Sequence, residues 1–279
     1  MTHMERGSLA RARTPGPTLY FTSARPQKPV AMVAIVHGYA EHSGRYEHVQ
    51  RAWADRGLAS VAIDLRGHGH AEGARGACRR FSEYHDDMDE LFALATQRAE
   101  GLPIILFGHS FGGLVATSYS LSKPRPHKAL LLSDPYFRLQ VKVPPAKLAA
   151  AKIASSVVPF LSLASGLSGK DVTHDPERAK AYDEDPLVFP TANSRWFMET
   201  KGAQAHVFAE ARRLEMPLYT VLGLADPIVS PSGGRDFFET ASSKDKTLDE
   251  RPGLFHEVLN EPEWESIAGA MADWILARK

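Results

Sequence analysis

A serine framed by glycines, followed much later by an aspartate and then a histidine, each just past an apolar run, has the residue types and order for nucleophilic acyl transfer. The serine is Ser110, in Gly108-His109-Ser110-Phe111-Gly112-Gly113. The apolar run 104–107 leads into it, and Phe111, Leu114, Val115 and Tyr119 follow at helical spacing. Strand, G-x-S-x-G turn and helix together make a nucleophile elbow. The turn must be nearly free of side chains, and it leaves the hydroxyl at a helix N-terminus, where the dipole and free N–H groups favour developing negative charge. A hydroxyl attacks poorly until a base takes its proton, and the base needs a third group to hold its tautomer. Asp226, in Gly223-Leu224-Ala225-Asp226-Pro227, follows the apolar run 218–222; His256, in Gly253-Leu254-Phe255-His256-Glu257, precedes the last helical pattern. Asp134, after the run 129–132, is a rival for the acid.

Acyl transfer also needs donors for the tetrahedral oxyanion. The backbone N–H of Phe111, next to the nucleophile, is one candidate. The N–H of Tyr39, in the loop His37-Gly38-Tyr39 after the run 30–36, is the other, with His37 and Gly38 bracing that loop. His37 with His42, and His68 with His70, lack partner carboxylates or cysteines at ligand spacing, so no metal and no cofactor is expected.

The elements that must position these groups alternate. Strands are expected at 19–22 (an edge), 30–36, 59–63, 104–107, 129–132, 218–222 and 246–251, and helices at 46–56, 81–100, after Ser110, and at 263–277. Such alternation implies a mainly parallel sheet covered on both faces. It stops between residues 135 and 215, where 147–156, 157–167, 175–183 and 191–214 read as helices and no strand is expected. The reading is therefore a core of 17–134 and 216–279, a helical cap of 135–215, and an irregular start of 1–16. The cap stretch from Val143 to Leu167 is apolar, with Phe160 a candidate for a lipid-facing pocket wall and Trp196 on the later cap helix another; it is also a candidate for transient contact with a membrane surface.

Thirty-three basic residues balance thirty-three acidic ones with no long run of either, which argues against a nucleic-acid surface. Cys78 is the only cysteine, so no intrachain disulfide forms, and no stretch approaches the roughly 20 apolar residues of a membrane span. A cytoplasmic, soluble protein is expected; nothing in the composition assigns an oligomeric state.

The segments His37-Gly38-Tyr39-x-Glu41-His42-x-x-Arg45-Tyr46, Asp64-x-Arg66-Gly67-His68-Gly69 and Gly108-His109-Ser110-Phe111-Gly112-Gly113 resemble the monoacylglycerol lipase and lysophospholipase group of serine α/β-hydrolases. The resemblance extends to Gly223-x-x-Asp226 and His256-Glu257 and covers nearly the whole chain outside the cap. It implies the α/β-hydrolase fold and a carboxylic-ester hydrolase without cofactor. Its nucleophile would be Ser110, its acid and base Asp226 and His256, and its substrate a monoacylglycerol, lysophospholipid or similar single-chain ester. This chain departs from the group at Tyr39, where a small residue is frequent and a bulky one would narrow the acyl pocket, at Ala71, where Ser is common, and at Asp134, where a small neutral residue is common and a charge in the substrate pocket would alter substrate choice. Lactone, carbamate or amide cleavage, acyl transfer to an alcohol, and ligand binding without catalysis are the alternatives. A histidine base working from its ordinary range would give activity rising through a pKa of roughly 6.5–7.

Overall fold

The structure, a computed structural model, describes residues 2–122, 126–140 and 145–278. In chain order the strands are β1 (His3–Leu9), β2 (Leu19–Arg25), β3 (Ala31–Val36), β4 (Leu58–Asp64), β5 (Ile104–His109), β6 (His127–Ser133), β7 (Ser162–Ala164), β8 (Thr191–Asn193), β9 (Leu218–Gly223) and β10 (Lys246–Arg251). The helices are α1 (Glu47–Asp55), α2 (Ser82–Ala99), α3 (Ser110–Ser122), α4 (Pro145–Val157), α5 (Gly169–Val172), α6 (Pro176–Glu184), α7 (Ser194–Glu210), α8 (Pro231–Thr240) and α9 (Trp264–Leu276). Eight strands form one sheet in the order β1-β2-β4-β3-β5-β6-β9-β10. β1 and β2 run antiparallel at one edge, and β4, β3, β5, β6, β9 and β10 are parallel. This is the mainly parallel sheet expected from the alternation.

The central strands are apolar on both sides because helices cover both. All six residues of β3 and all seven of β4 are buried. On one face Val49 and Trp53 of α1 pack with Ile267, Met271 and Ile275 of α9 against Phe107 and Tyr219. On the other, Tyr84, Met88 and Leu91 of α2 and Leu114 and Val115 of α3 pack against Met32, Leu106 and Leu130. Each large side chain so buried contributes about 1.5–3 kcal/mol, which holds the carboxyl ends of β3, β5, β6 and β9 side by side.

The structure departs from the sequence expectations in several places. The start is not irregular: β1 is the true edge, which moves the expected edge strand at 19–22 one position inward. β1 is half exposed and carries little apolar signal; it is held by ladder bonds and by the Arg98–Glu5 pair at 2.9 Å. The N–H groups of Ala12, Arg13 and Thr14 donate to Glu90 at 2.7–2.9 Å, and Arg66 pairs with Asp87 at 2.7 Å, so these acids of α2 anchor chain rather than only complement a dipole. In the cap, 157–167 is not a helix. Pro159 ends α4 at Val157, and β7 follows, paired antiparallel with β8. Residues 191–193 are strand rather than helix because the Asn193 side chain caps α7, accepting from the N–H groups of Arg195 and Trp196 at 3.0 and 3.1 Å. The apolar cap stretch expected from Val143 begins among residues 141–144, outside the described residues. α8 was not expected. Its Gly233 and Gly234 mask a helical pattern, yet a Cβ on either would come within 3 Å of Arg138 or Leu222, so the close approach requires glycine. Among the described residues no helix is long and apolar enough to cross a membrane.

Candidate active site

The elbow between β5 and α3 brings Ser110 out of the sheet at φ 51°, a left-handed conformation that a non-glycine residue adopts only when its surroundings impose it. Its glycines explain how. A Cβ on Gly112 would lie 2.3 Å from the carbonyl oxygen of Val36, and one on Gly108 would lie 2.5 Å from that of Gly112. β3, β5 and α3 therefore meet backbone to backbone, and the serine is the residue left projecting.

Asp226 sits in the turn after β9, where its Oδ1 accepts the N–H groups of Ile228 and Val229 at 2.7 and 2.9 Å. Its Oδ2 lies 2.6 Å from Nδ1 of His256, and Nε2 of His256 lies 2.8 Å from Ser110 Oγ. A carboxylate can only accept, so the imidazole proton is on Nδ1 and Nε2 is free to accept the serine proton. Ser110, Asp226 and His256 are 8%, 3% and 5% exposed. Burial alone would make the His256 cation costly, but the Asp226 charge and hydrogen bond outweigh it and push the imidazole up to about 9. This moves the expected working range well above 6.5–7.

The loop after β3 faces the serine. Leu65 N–H donates to Nε2 of His37 at 3.0 Å, which leaves the proton on Nδ1, 2.6 Å from the Gly38 carbonyl. Burial pushes His37 down to about 3, so it is a neutral brace. Gly38 N–H donates to Glu41 Oε1 at 2.5 Å, and Tyr46 OH donates to the same oxygen at 2.7 Å. Arg45 then joins Glu41 at 2.9 Å to Glu257 at 2.6 and 2.7 Å, a two-pronged bond to the residue beside His256. Burial would raise Glu257, but the Arg45 guanidinium holds it down at about 2. The loop and the histidine are thereby tied by one buried ion network. Glu41, Arg45, Tyr46 and Glu257 all lie in the segments quoted above for their resemblance; what single-sequence reading lacked was the fold that brings residues 212 apart into contact.

Ser110, His256, Gly38, Tyr39 and Phe111 line a cavity of about 390 Å³. Its opposite wall comes from the insertion between β6 and β9, including Leu167, Val172, Tyr182, Thr191, Trp196 and Phe197. Trp196 stacks on Tyr39 with ring centroids 3.6 Å apart, and Phe111 meets Trp196 edge-on at 5.3 Å. Phe160, expected in that wall, is 55% exposed and is not among the residues lining the cavity. Asp134, a candidate for the acid and for the pocket, neither reaches His256 by a hydrogen bond nor lines the cavity; its Oδ1 accepts Gly223 N–H at 2.7 Å. Among the described residues no group of three or more His, Cys, Asp or Glu side chains is arranged to hold a metal ion.

Comparison with known proteins places this architecture. The family model described as "Serine aminopeptidase, S33" matches residues 27–263. The chain belongs to that family. It is similar to a monoacylglycerol lipase of Mycolicibacterium smegmatis, 34% identical over 253 residues and covering 89% of each chain. It is also similar to the phospholipase YtpA of Bacillus subtilis, 34% identical over 245 residues, 87% of this chain and 94% of that one. The crystal structure of the Paleococcus ferrophilus monoacylglycerol lipase superposes with a TM-score of 0.84 at 32% identity, over 94% of this chain and 99% of that chain. The chain is thus an α/β-hydrolase and an enzyme of the serine ester-hydrolase type, like the monoacylglycerol lipases.

Proposed function

We propose that the protein hydrolyses single-chain carboxylic esters, monoacylglycerols or lysophospholipids, through an acyl-enzyme on Ser110. The observation that carries the reading is the unbroken contact Asp226 Oδ2 to His256 Nδ1 (2.6 Å) and His256 Nε2 to Ser110 Oγ (2.8 Å), opening on the apolar cavity. His256 takes the Ser110 proton as Oγ bonds to the ester carbon. The carbonyl π pair moves onto oxygen, where the N–H groups of Tyr39 and Phe111 receive it. Collapse breaks the ester C–O bond, and the alcohol leaves with the proton held by His256. A water, giving its proton to His256, then attacks the acyl-enzyme; collapse breaks the acyl C–Oγ bond, His256 returns the proton to Ser110 Oγ, and the carboxylic acid departs.

The outer face of the insertion supports a lipid source for the substrate. Ile153, Val157, Phe160 and Leu163 are 66%, 74%, 55% and 63% exposed. Exposed apolar patches of this kind, with no membrane-crossing helix among the described residues, suit transient contact with a lipid surface. Buried, unpaired Cys78 fits a reducing, cytoplasmic setting. One observation favours a second reading, small or aromatic non-lipid esters. The Tyr39–Trp196 stack fills part of the cavity beside Ser110 with rigid rings. A panel from short p-nitrophenyl esters through medium and long monoacylglycerols to a lysophospholipid, with Ser110→Ala as control, decides. A maximum at medium or long acyl chains supports the lipid reading, and activity confined to the shortest esters replaces it with the second.

A further inference from the structure

A second carboxylate lies behind the Asp226–His256 pair, and the mechanism above leaves it unused. Asp134, at the tip of β6, is 2% exposed and takes a left-handed φ of 42°. Asp and Asn tolerate that region better than most residues, yet it is still sparsely populated, so the position is imposed. The bend aims the carboxyl at β9. Asp134 N–H donates to the Val221 carbonyl at 3.0 Å, and Oδ1 accepts Gly223 N–H at 2.7 Å. Gly223 opens the turn that closes with Asp226 N–H on the Gly223 carbonyl at 3.3 Å. Asp134 therefore grips the strand end from which Asp226 is hung. Its Oδ2 faces the Ser133 hydroxyl at 3.4 Å. That hydroxyl lies 3.2 Å from Nδ1 of His109, whose ring centroid is 4.9 Å from that of His256. A string of His109, Ser133 and Asp134 thus runs beside Ser110, His256 and Asp226.

We propose that Asp134 is a positioning residue and reserve carboxylate for His256: it fixes the Gly223–Asp226 turn, and it supplies the compensating negative charge when Asp226 cannot. The electrostatics agree in direction. Burial, and after it the Asp226 charge, push the Asp134 carboxyl well above the ordinary range, while His256 pulls it down. Removing the Asp226 charge takes away one of the two effects that keep Asp134 neutral. It leaves the effect that favours its ionisation, the positive field of the His256 imidazolium.

The inference rests on the Ser110–His256 reading, and the test separates the two. kcat, KM and the melting midpoint are measured with a water-soluble p-nitrophenyl ester for Asp134→Asn, Asp134→Ala, Asp226→Asn and the double variant Asp134→Asn/Asp226→Asn, each made in the wild-type chain, with Ser110→Ala alone as the inactive control. Asn keeps an oxygen for Gly223 N–H and removes only the ability to ionise; if it melts early, Asp134→Ser takes its place in the cycle. Asp134→Asn alone is expected to keep kcat within about twofold, because a neutral carboxyl and an amide offer Gly223 N–H the same acceptor, and Asp226→Asn to keep a kcat at least about tenfold above that of the double variant. A double variant within about twofold of Asp226→Asn overturns the reserve role. Asp134→Ala, which loosens the turn, should fall about tenfold below Asp134→Asn in kcat, and equality of the two overturns the positioning role. Wild-type activity in Ser110→Ala would instead overturn the reading of the site itself.

Discussion

The two walls of the cavity are built by opposite rules. On the sheet side every group of the proposed chemistry is buried and tied: Ser110 by its elbow, His256 by Asp226, and the Gly38 loop by Glu41, Arg45 and Glu257. On the insertion side Val172 and Trp196 are buried where they meet the sheet side, but behind them the wall thins: Val157 and Leu163 on its outer face are 74% and 63% exposed, and no buried residue occurs in α6. The difference teaches where precision is needed. Charge that develops in a transition state must meet groups already in place, which demands a rigid, fully hydrogen-bonded layer. An acyl chain needs only apolar area, which tolerates a loosely constrained wall.

The comparison breaks first at Ser110. Ser110→Ala should lower kcat by at least about three orders of magnitude, since the members of such a set act as a unit; retention of more than about a tenth of the activity in initial-rate assays would remove Ser110 from the chemistry. Asp226→Asn should cost about a hundredfold or more, against the smaller loss at Asp134, and the reverse ranking reassigns the acid. The pH profile sharpens the point. Because His256 must be neutral to accept a proton and its pKa is raised to about 9, activity should climb with pH and reach its plateau only on the alkaline side. A midpoint at or below 6.5 in kcat/KM would mean that Asp226 does not stabilise the imidazolium. Arg45→Met leaves Glu41 and Glu257 buried without their counter-charge, for a loss of about 3–5 kcal/mol of stability by denaturant unfolding. An unchanged midpoint would show that the network holds nothing. The smallest effect belongs to the outer wall. Val157→Ser with Leu163→Ser should leave turnover of a water-soluble ester within about twofold and lower turnover of a vesicle-borne monoacylglycerol by about three- to tenfold, because the two side chains touch only a surface.

The same division governed what could be read from the sequence. The meeting of Ser110, Asp226 and His256 was legible because strand–turn–helix patterning and chain order constrain them locally, and the buried strands β3 to β6 and β9 because parallel strands are apolar throughout. β1 was not, since an edge strand held by ladder bonds and Arg98–Glu5 has no apolar alternation to read. The insertion misled for a related reason. Ser162–Ala164 and Thr191–Asn193 are three-residue strands without any period, and Phe160 looks like a pocket residue until the helix break at Pro159 turns it outward. The Arg45–Glu257 bond spans 212 residues, and no local pattern encodes such a pairing.

The central claim is that Ser110 is made nucleophilic by His256. The direct measurement is the rate and site of labelling by a fluorophosphonate, followed by mass spectrometry of the peptides. The account predicts one adduct, on Ser110, absent in Ser110→Ala and formed at least about a hundredfold more slowly in His256→Ala. An adduct on another residue, or wild-type labelling in His256→Ala, would contradict it.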